Sequence, residues 1–328
     1  MTNGKTNHGV LGATSESELI IGSGEINQGE AGCVRADGGT VVLVSPSRIC
    51  GGHITTENGG VVECRESAII REVQSTADIH VLEGCTLQGE VEVINDGRIV
   101  VNANQGEGNA TFKAYGGSFC LGGSGELVLQ AGDDPHDATF STYYTGATQL
   151  SDHTVRGQGI VAIQMTNYGT VLADQPDGLL DLIYSNKNYG EMIARNGGTL
   201  RLAGLNQHYN TGRFYDGSWR VEVGSTMRLM GANIVRSDAE IISRRLRERG
   251  SSDRGGGVFT RRERHLYAGG MEPGRFGSRG ARLDGGRRRP SARDIRYAAL
   301  RSGNPRGKRH GRRRCDERRV GQSGCTAG

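Results

Sequence analysis

The chain has 328 residues, of which 35% are hydrophobic, 5% are aromatic and 54 are glycine. That composition excludes an ordinary aromatic-rich α/β core and leaves a disordered chain or a β-rich repeat fold whose turns consume glycine. The net charge of +4 conceals two parts of opposite sign: up to Ser243 there are 15 Lys+Arg against 28 Asp+Glu, and after it 25 against 8.

The first segment, MTNGKTNHGVLGATSESELIIGSG, has no basic stretch leading into an apolar one, so no export signal is expected in it. No run approaches the ~18 apolar residues of a membrane-spanning helix, and no such helix is expected. Asn7-His8-Gly9 is then echoed by Asn27-Gln28-Gly29. The second copy leads through VRADGGTVVL, which echoes IARNGGTLRL much later in the chain, and TENGGVVEC from Thr56 is a partial echo. A second signature recurs as LIIGSGEI from Leu19, CLGGSGELVL from Cys120 and TVRGQGIVAI from Thr154.

The clearest copies follow. Asn167-Tyr168-Gly169 returns as Asn188-Tyr189-Gly190, and Asn210-Thr211-Gly212 comes after a nearly equal interval. A short apolar run trails each copy, as Val171-Leu172-Ala173, Met192-Ile193-Ala194 and Phe214-Tyr215. After a Gly-rich or polar break the chain alternates: Leu180 and Leu182, Leu200 and Leu202, Val221 and Val223. A period of about 20–22 residues with short strands predicts a solenoid, and no L-x-x-L-x-L is present to make it leucine-rich. We therefore expect an all-β, right-handed parallel β-helix over residues 1–236, each coil holding three short strands. Around ten coils at about 4.8 Å make a stack of roughly 50 Å.

The expected physics is columnar. Inward Val, Ile and Leu rest on their copies in the next coil. Gly and Asn take the φ > 0 positions at the corners, and stacked Asn side chains bond along the axis. Aromatics are expected to be too wide for most inner positions. Cys33, Cys50, Cys64, Cys85, Cys120, Cys315 and Cys325 form no C-x-x-C pair, so they suit small buried hydrophobes better than a zinc site.

Chemistry-bearing clusters are few. AGDDPHDATF brings Asp133, Asp134 and Asp137 together around His136. Paired carboxylates on a β-helix serve as general acid and base on a polysaccharide, or hold Ca²⁺. Pro135 and the preceding strand make this stretch a loop, and the bland alternative is a solvated acidic turn. GSGEIN and GQGIVA open no helix and lack the Gly-Lys-Ser/Thr of a phosphate loop, so they read as turns. His53, His80, His153 and His208 are dispersed. No catalytic residue, cofactor or metal is assigned.

NYGTVLADQPDGLLDL, NYGEMIARNGGTLRLAG and LGGSGELVLQAG resemble the coils of bacterial secreted or surface β-helix proteins, the autotransporter passenger domains and filamentous adhesins. The likeness covers roughly Asn7–Arg236. It implies an extracellular or cell-surface, non-enzymatic protein that meets a glycan, matrix or neighbouring cell with its lateral faces. This chain departs from that pattern in showing no signal segment and no membrane barrel. The alternative is a carbohydrate-active β-helix, a lyase or glycosidase using the Asp133–Asp137 loop.

Past Arg236 the period ends. Ser237 and Glu240 have capping-box spacing, so residues 237–250 are expected as a helix covering the last coil. Residues 251–328 form an Arg/Gly-rich tail, expected to be disordered, with clusters at Arg287–Arg289 and Arg312–Arg314. Arginine interleaved with Phe259, Tyr267, Phe276 and Tyr297 is one pattern for nucleic-acid binding. The abrupt loss of the repeat favours incidental basic sequence, including out-of-frame translation, over that function.

Overall fold

A computed structural model describes residues 4–142, 146–150, 152–184, 186–203, 217–230 and 240–243. The chain folds as a parallel β-helix. Each coil runs through three faces, called here A, B and C, and every strand pairs with its counterparts in the adjacent coils in parallel. The first coil places Lys5–Asn7 on face A, Val10–Thr14 on face B and Glu18–Ile21 on face C.

Face C shows why the sequence takes this shape. Its central column runs Leu19, Val41, Val62, Ile79, Ile99, Leu127, Val155, Val171, Met192 and Trp219, each the register partner of the next. All but Leu19 are fully buried, and Leu19 packs against the same core. One side chain per coil, stacked on its copy, gives a thin interior that a sequence poor in aromatics can fill.

The register continues from Trp219 to Ile241, because Glu240–Ser243 forms a further face C strand on Ser218–Val221. This part of the segment expected as a capping helix is thus a strand. Paired Ile241-Ile242, β-branched beside an open strand edge, favour extension over helix. The remainder of 237–250, and the whole 251–328 tail, lie outside the described residues.

The coil length is less regular than expected. Along the central column the two longest steps run from Ile99 to Leu127 and from Leu127 to Val155, and the shortest from Val155 to Val171. Only the strands must stay in register, so the corners absorb the difference. The shortest step arises because Thr154–Ala162 runs from face C into face A without a turn. The step from Ile99 to Leu127 accommodates the loop between Arg98–Val101 and Ala110–Gly122.

Most inner positions are aliphatic, but a few large aromatics do enter the core. Phe112, Phe119, Phe140 and Trp219 are fully buried. Small neighbours make the room: a Cβ on Gly89 would lie 2.8 Å from the Phe119 ring and 3.2 Å from Phe112. Cys33, Cys64, Cys85 and Cys120 are buried, while Cys50 is half-buried; Cys50, Cys64 and Cys85 are free thiols. Burial pushes the Cys64 thiol up to about 12, which keeps it protonated and inert.

The Asn-Tyr-Gly corners between faces B and C carry two columns. Asn167 is the register partner of Asn188, and its Nδ2 donates to Asn188 Oδ1 at 2.8 Å. Asn210, expected next, lies outside the described residues. Each amide also donates to the carbonyl that opens the following face C strand: Asn95 to Glu126, Gln149 to Thr170, Asn167 to Glu191, Asn188 to Ser218. The glycine that ends each Asn-Tyr-Gly is there for space. A Cβ on Gly169 would lie 2.2 Å from the His153 carbonyl oxygen, and on Gly190 2.1 Å from that of Gly169. Left-handed φ is instead taken by Asp177, Asn196 and Gly197 at the C-to-A corners. Replacing Asn167 with Ala removes both bonds and leaves the buried acceptors bare, so we expect a loss of about 1–3 kcal/mol in urea denaturation.

Candidate functional site

Among the described residues, the acidic loop gathers no three carboxylate or imidazole side chains into a metal-sized cluster. Pro135–Asp137 forms a single 3₁₀ turn capped by Asp134, whose Oδ1 accepts from the His136 backbone N–H at 2.9 Å and lies 2.7 Å from His136 Nδ1. Those bonds, the backbone one first, hold the Asp134 carboxyl below its ordinary value. Asp133, Asp134 and His136 are exposed, while Asp137 is buried. His80 sits 3.4 Å from Asp78, His153 is buried, and His208 lies outside the described residues. Among the described residues no three His, Cys, Asp or Glu side chains gather as a metal site. No described helix is long and apolar enough to cross a membrane.

Polar side chains do converge on the outer surface where face A bends into face B. The strands Ser67–Ser75, Ala110–Gly122 and Thr86–Asn95 pass straight through this bend, each with a bulge at Glu72, Gly116 and Val91 respectively. All three bulge residues have left-handed φ: 51° at Glu72, 64° at Val91 and 102° at Gly116. Only the glycine adopts this without strain, and at a β-branched valine the cost is about 1–3 kcal/mol.

Outside the bend lies an open groove of about 700 Å³ lined by Arg48, Ile69, Arg71, Gln88, Glu90, Val91, Tyr115 and Gly116. The register explains the convergence. Arg48, Ile69 and Gln88 form one outward column, and Arg71, Glu90 and Tyr115 form the next. Arg48 reaches across Ile69 to bond Glu90 Oε2, and Gln88 Nε2 donates to Glu90 Oε1 at 2.9 Å. Glu25 adds a second carboxylate to Arg48 at 3.8 Å, and Glu72 pairs with Arg71 at 3.2 Å. Burial lowers the Arg48 pKa, but Glu90 foremost, then Cys50 and Glu25, outweigh it and leave it raised, so the guanidinium stays charged.

None of the groove residues stands out in the sequence. They come from separate coils, and two of the three bulges that aim them fall on Glu72 and Val91, residue types that carry no turn signal. The chain matches no protein-family model, no curated protein and no solved structure.

Proposed function

We propose that this chain is a non-enzymatic, adhesin-type β-helix that meets a glycan or matrix component outside the cell or at its surface. The observation that carries this is the set of outward polar columns held at strand spacing. On face A, Glu25, Arg48, Ile69, Gln88, Lys113 and Ser141 follow one another coil by coil. Such a face offers many weak polar contacts at fixed pitch, which suits a long or repetitive ligand. The likeness to passenger domains and filamentous adhesins points the same way.

The test is binding of the purified chain to immobilised glycans and matrix proteins, with soluble polysaccharides assayed in parallel for cleavage. We expect saturable binding and intact polysaccharide. Cleavage lost in Asp134→Asn or Asp137→Asn would establish the carbohydrate-active alternative instead. Binding to no glycan and no matrix protein would overturn the proposal.

A further inference from the structure

We propose that the groove at the bend between faces A and B is a binding site for neutral, hydroxyl-rich sugar rings; this rests on the glycan-binding function proposed above and gives it a place and a ligand class. Three features of the groove converge on that chemistry.

The first is charge balance. Its two guanidinium groups are already matched: Arg48 by Glu90 and Glu25, Arg71 by Glu72. A phosphate, sulfate or uronate would meet carboxylates as readily as cations, so an anionic ligand gains little here. A cation would have to compete with Arg48 for Glu90. Neutral hydroxyls face neither penalty.

The second is the form of the polar groups. Arg48, Glu90 and Gln88 all end in planar, two-pronged groups, and Glu90 holds the other two in one hydrogen-bonded row. A carboxylate offers about four lone-pair directions, so Glu90 keeps acceptor capacity beyond these two bonds. Pronged donors and acceptors side by side match the paired hydroxyls of a pyranose ring. The row is fixed before any ligand arrives, because Glu90 is only 7% exposed and its partners stand on coils in register. Preorganisation of this kind lowers the entropic cost of binding.

The third is the aromatic edge. Tyr115 is 39% exposed at the groove rim, next to Glu90 in the register. An aromatic ring offers an apolar face to the C–H side of a sugar. The strained Val91 lines the same groove and is equally open, at 39%. It adds a second apolar surface beside the polar row. A groove of this size lies within the ~300–1,000 Å³ of small-ligand sites and accommodates more than one ring.

The test uses the full chain with cellotetraose, maltotetraose and tetraacetylchitotetraose as neutral probes, and tetragalacturonate and a sulfated tetrasaccharide as charged ones, read by titration calorimetry. The variants are Gln88→Ala and Tyr115→Ala, both with groove-facing side chains whose loss leaves the Arg48–Glu90 pair intact; circular dichroism and melting confirm their fold. We expect at least one neutral tetrasaccharide to bind, each variant to weaken it about tenfold or more, and salt from roughly 50 to roughly 500 mM to change the affinity little. Neutral binding that both folded variants retain would overturn the groove assignment and leave glycan binding standing. Salt-sensitive binding of the charged probes alone would overturn the ligand class. Failure of every probe, while the wider glycan array still registers binding, defeats the groove assignment; failure of the probes, the glycan array and the matrix proteins together defeats the functional proposal as well.

Discussion

Replacing Phe112 with Ala is expected to cost about 3–5 kcal/mol, the upper range for an aromatic core truncation. Phe112 is fully buried and belongs to the inward face A column Leu87, Phe112, Phe140 and Val161. Its ring centroid lies 5.6 Å from that of Phe140 and 6.1 Å from that of Phe119. The cost of such a truncation depends on whether neighbours can collapse into the hole. Here collapse is limited, because the inward positions beside these rings include Gly89, Ala110, Ala114 and Ala138, with little side chain to move. In a stack where each coil touches only its neighbours, the damage should also be local. Urea denaturation gives the total loss. Hydrogen exchange should then show faster opening in the strands Thr86–Asn95 and Ala138–Thr142, with protection kept in the distant Cys33–Asp37 and His53–Glu57. A loss below about 1 kcal/mol would mean that the core around these rings repacks, contrary to the columnar account.

The same columns explain what could be read from the sequence. Alternating Leu180/Leu182 and Leu200/Leu202 are register partners on face A, and Asn167 stands on Asn188, because identical environments one coil apart demand similar residues. The phase was harder. Asn7 pairs with Gln28 and not with Asn27, so the matching Asn letters mislead by one position. VRADGGTVVL turns from face B to face C, whereas IARNGGTLRL turns from face C to face A. The two look alike because both corners set the same physical problem twice over. Gly38 and Gly197 take left-handed φ of 70° and 85°. Gly39 and Gly198 follow them, where a Cβ would lie 2.2 Å and 2.6 Å from a carbonyl oxygen of the coil below. LIIGSGEI and CLGGSGELVL are a similar mismatch of corners. Local turn chemistry therefore recurs at more than one place per coil, and only long-range pairing separates the copies. The groove escaped for the related reason that Arg48, Gln88, Glu90 and Tyr115 meet only once the register is known.

Acidification should unfold this protein through one buried imidazole. His153 has no exposed surface and stands at the corner position that glycine holds in the flanking coils, at Gly125 and Gly169. Its Nε2 lies 3.3 Å from Asn95 Nδ2, an amide nitrogen that can only donate. Nε2 is thus the acceptor and the neutral ring carries its proton on Nδ1. Protonating Nε2 would set one donor against another inside a dry corner. Burial accordingly pushes the His153 pKa down from 6.5 to about 3, with only a small opposing pull from Asp96. In the unfolded chain the ring regains its ordinary value. Between those two values the unfolded state binds a proton that the folded state refuses, so stability falls as pH falls through that window. Above 6.5 the ring is neutral in both states, and below 3 it is charged in both, so the loss is confined between them. At about 1.4 kcal/mol per pH unit the complete loss is roughly 4–5 kcal/mol, and about 3 kcal/mol of it arises between pH 7 and pH 4. His153→Asn keeps a carbonyl oxygen to accept from Asn95 but has no proton to gain. Urea denaturation of both proteins at the two pH values cancels the carboxylates they share. The wild type should lose about 3 kcal/mol more than the variant over that span, and equal losses would show that His153 is not the group through which acid acts.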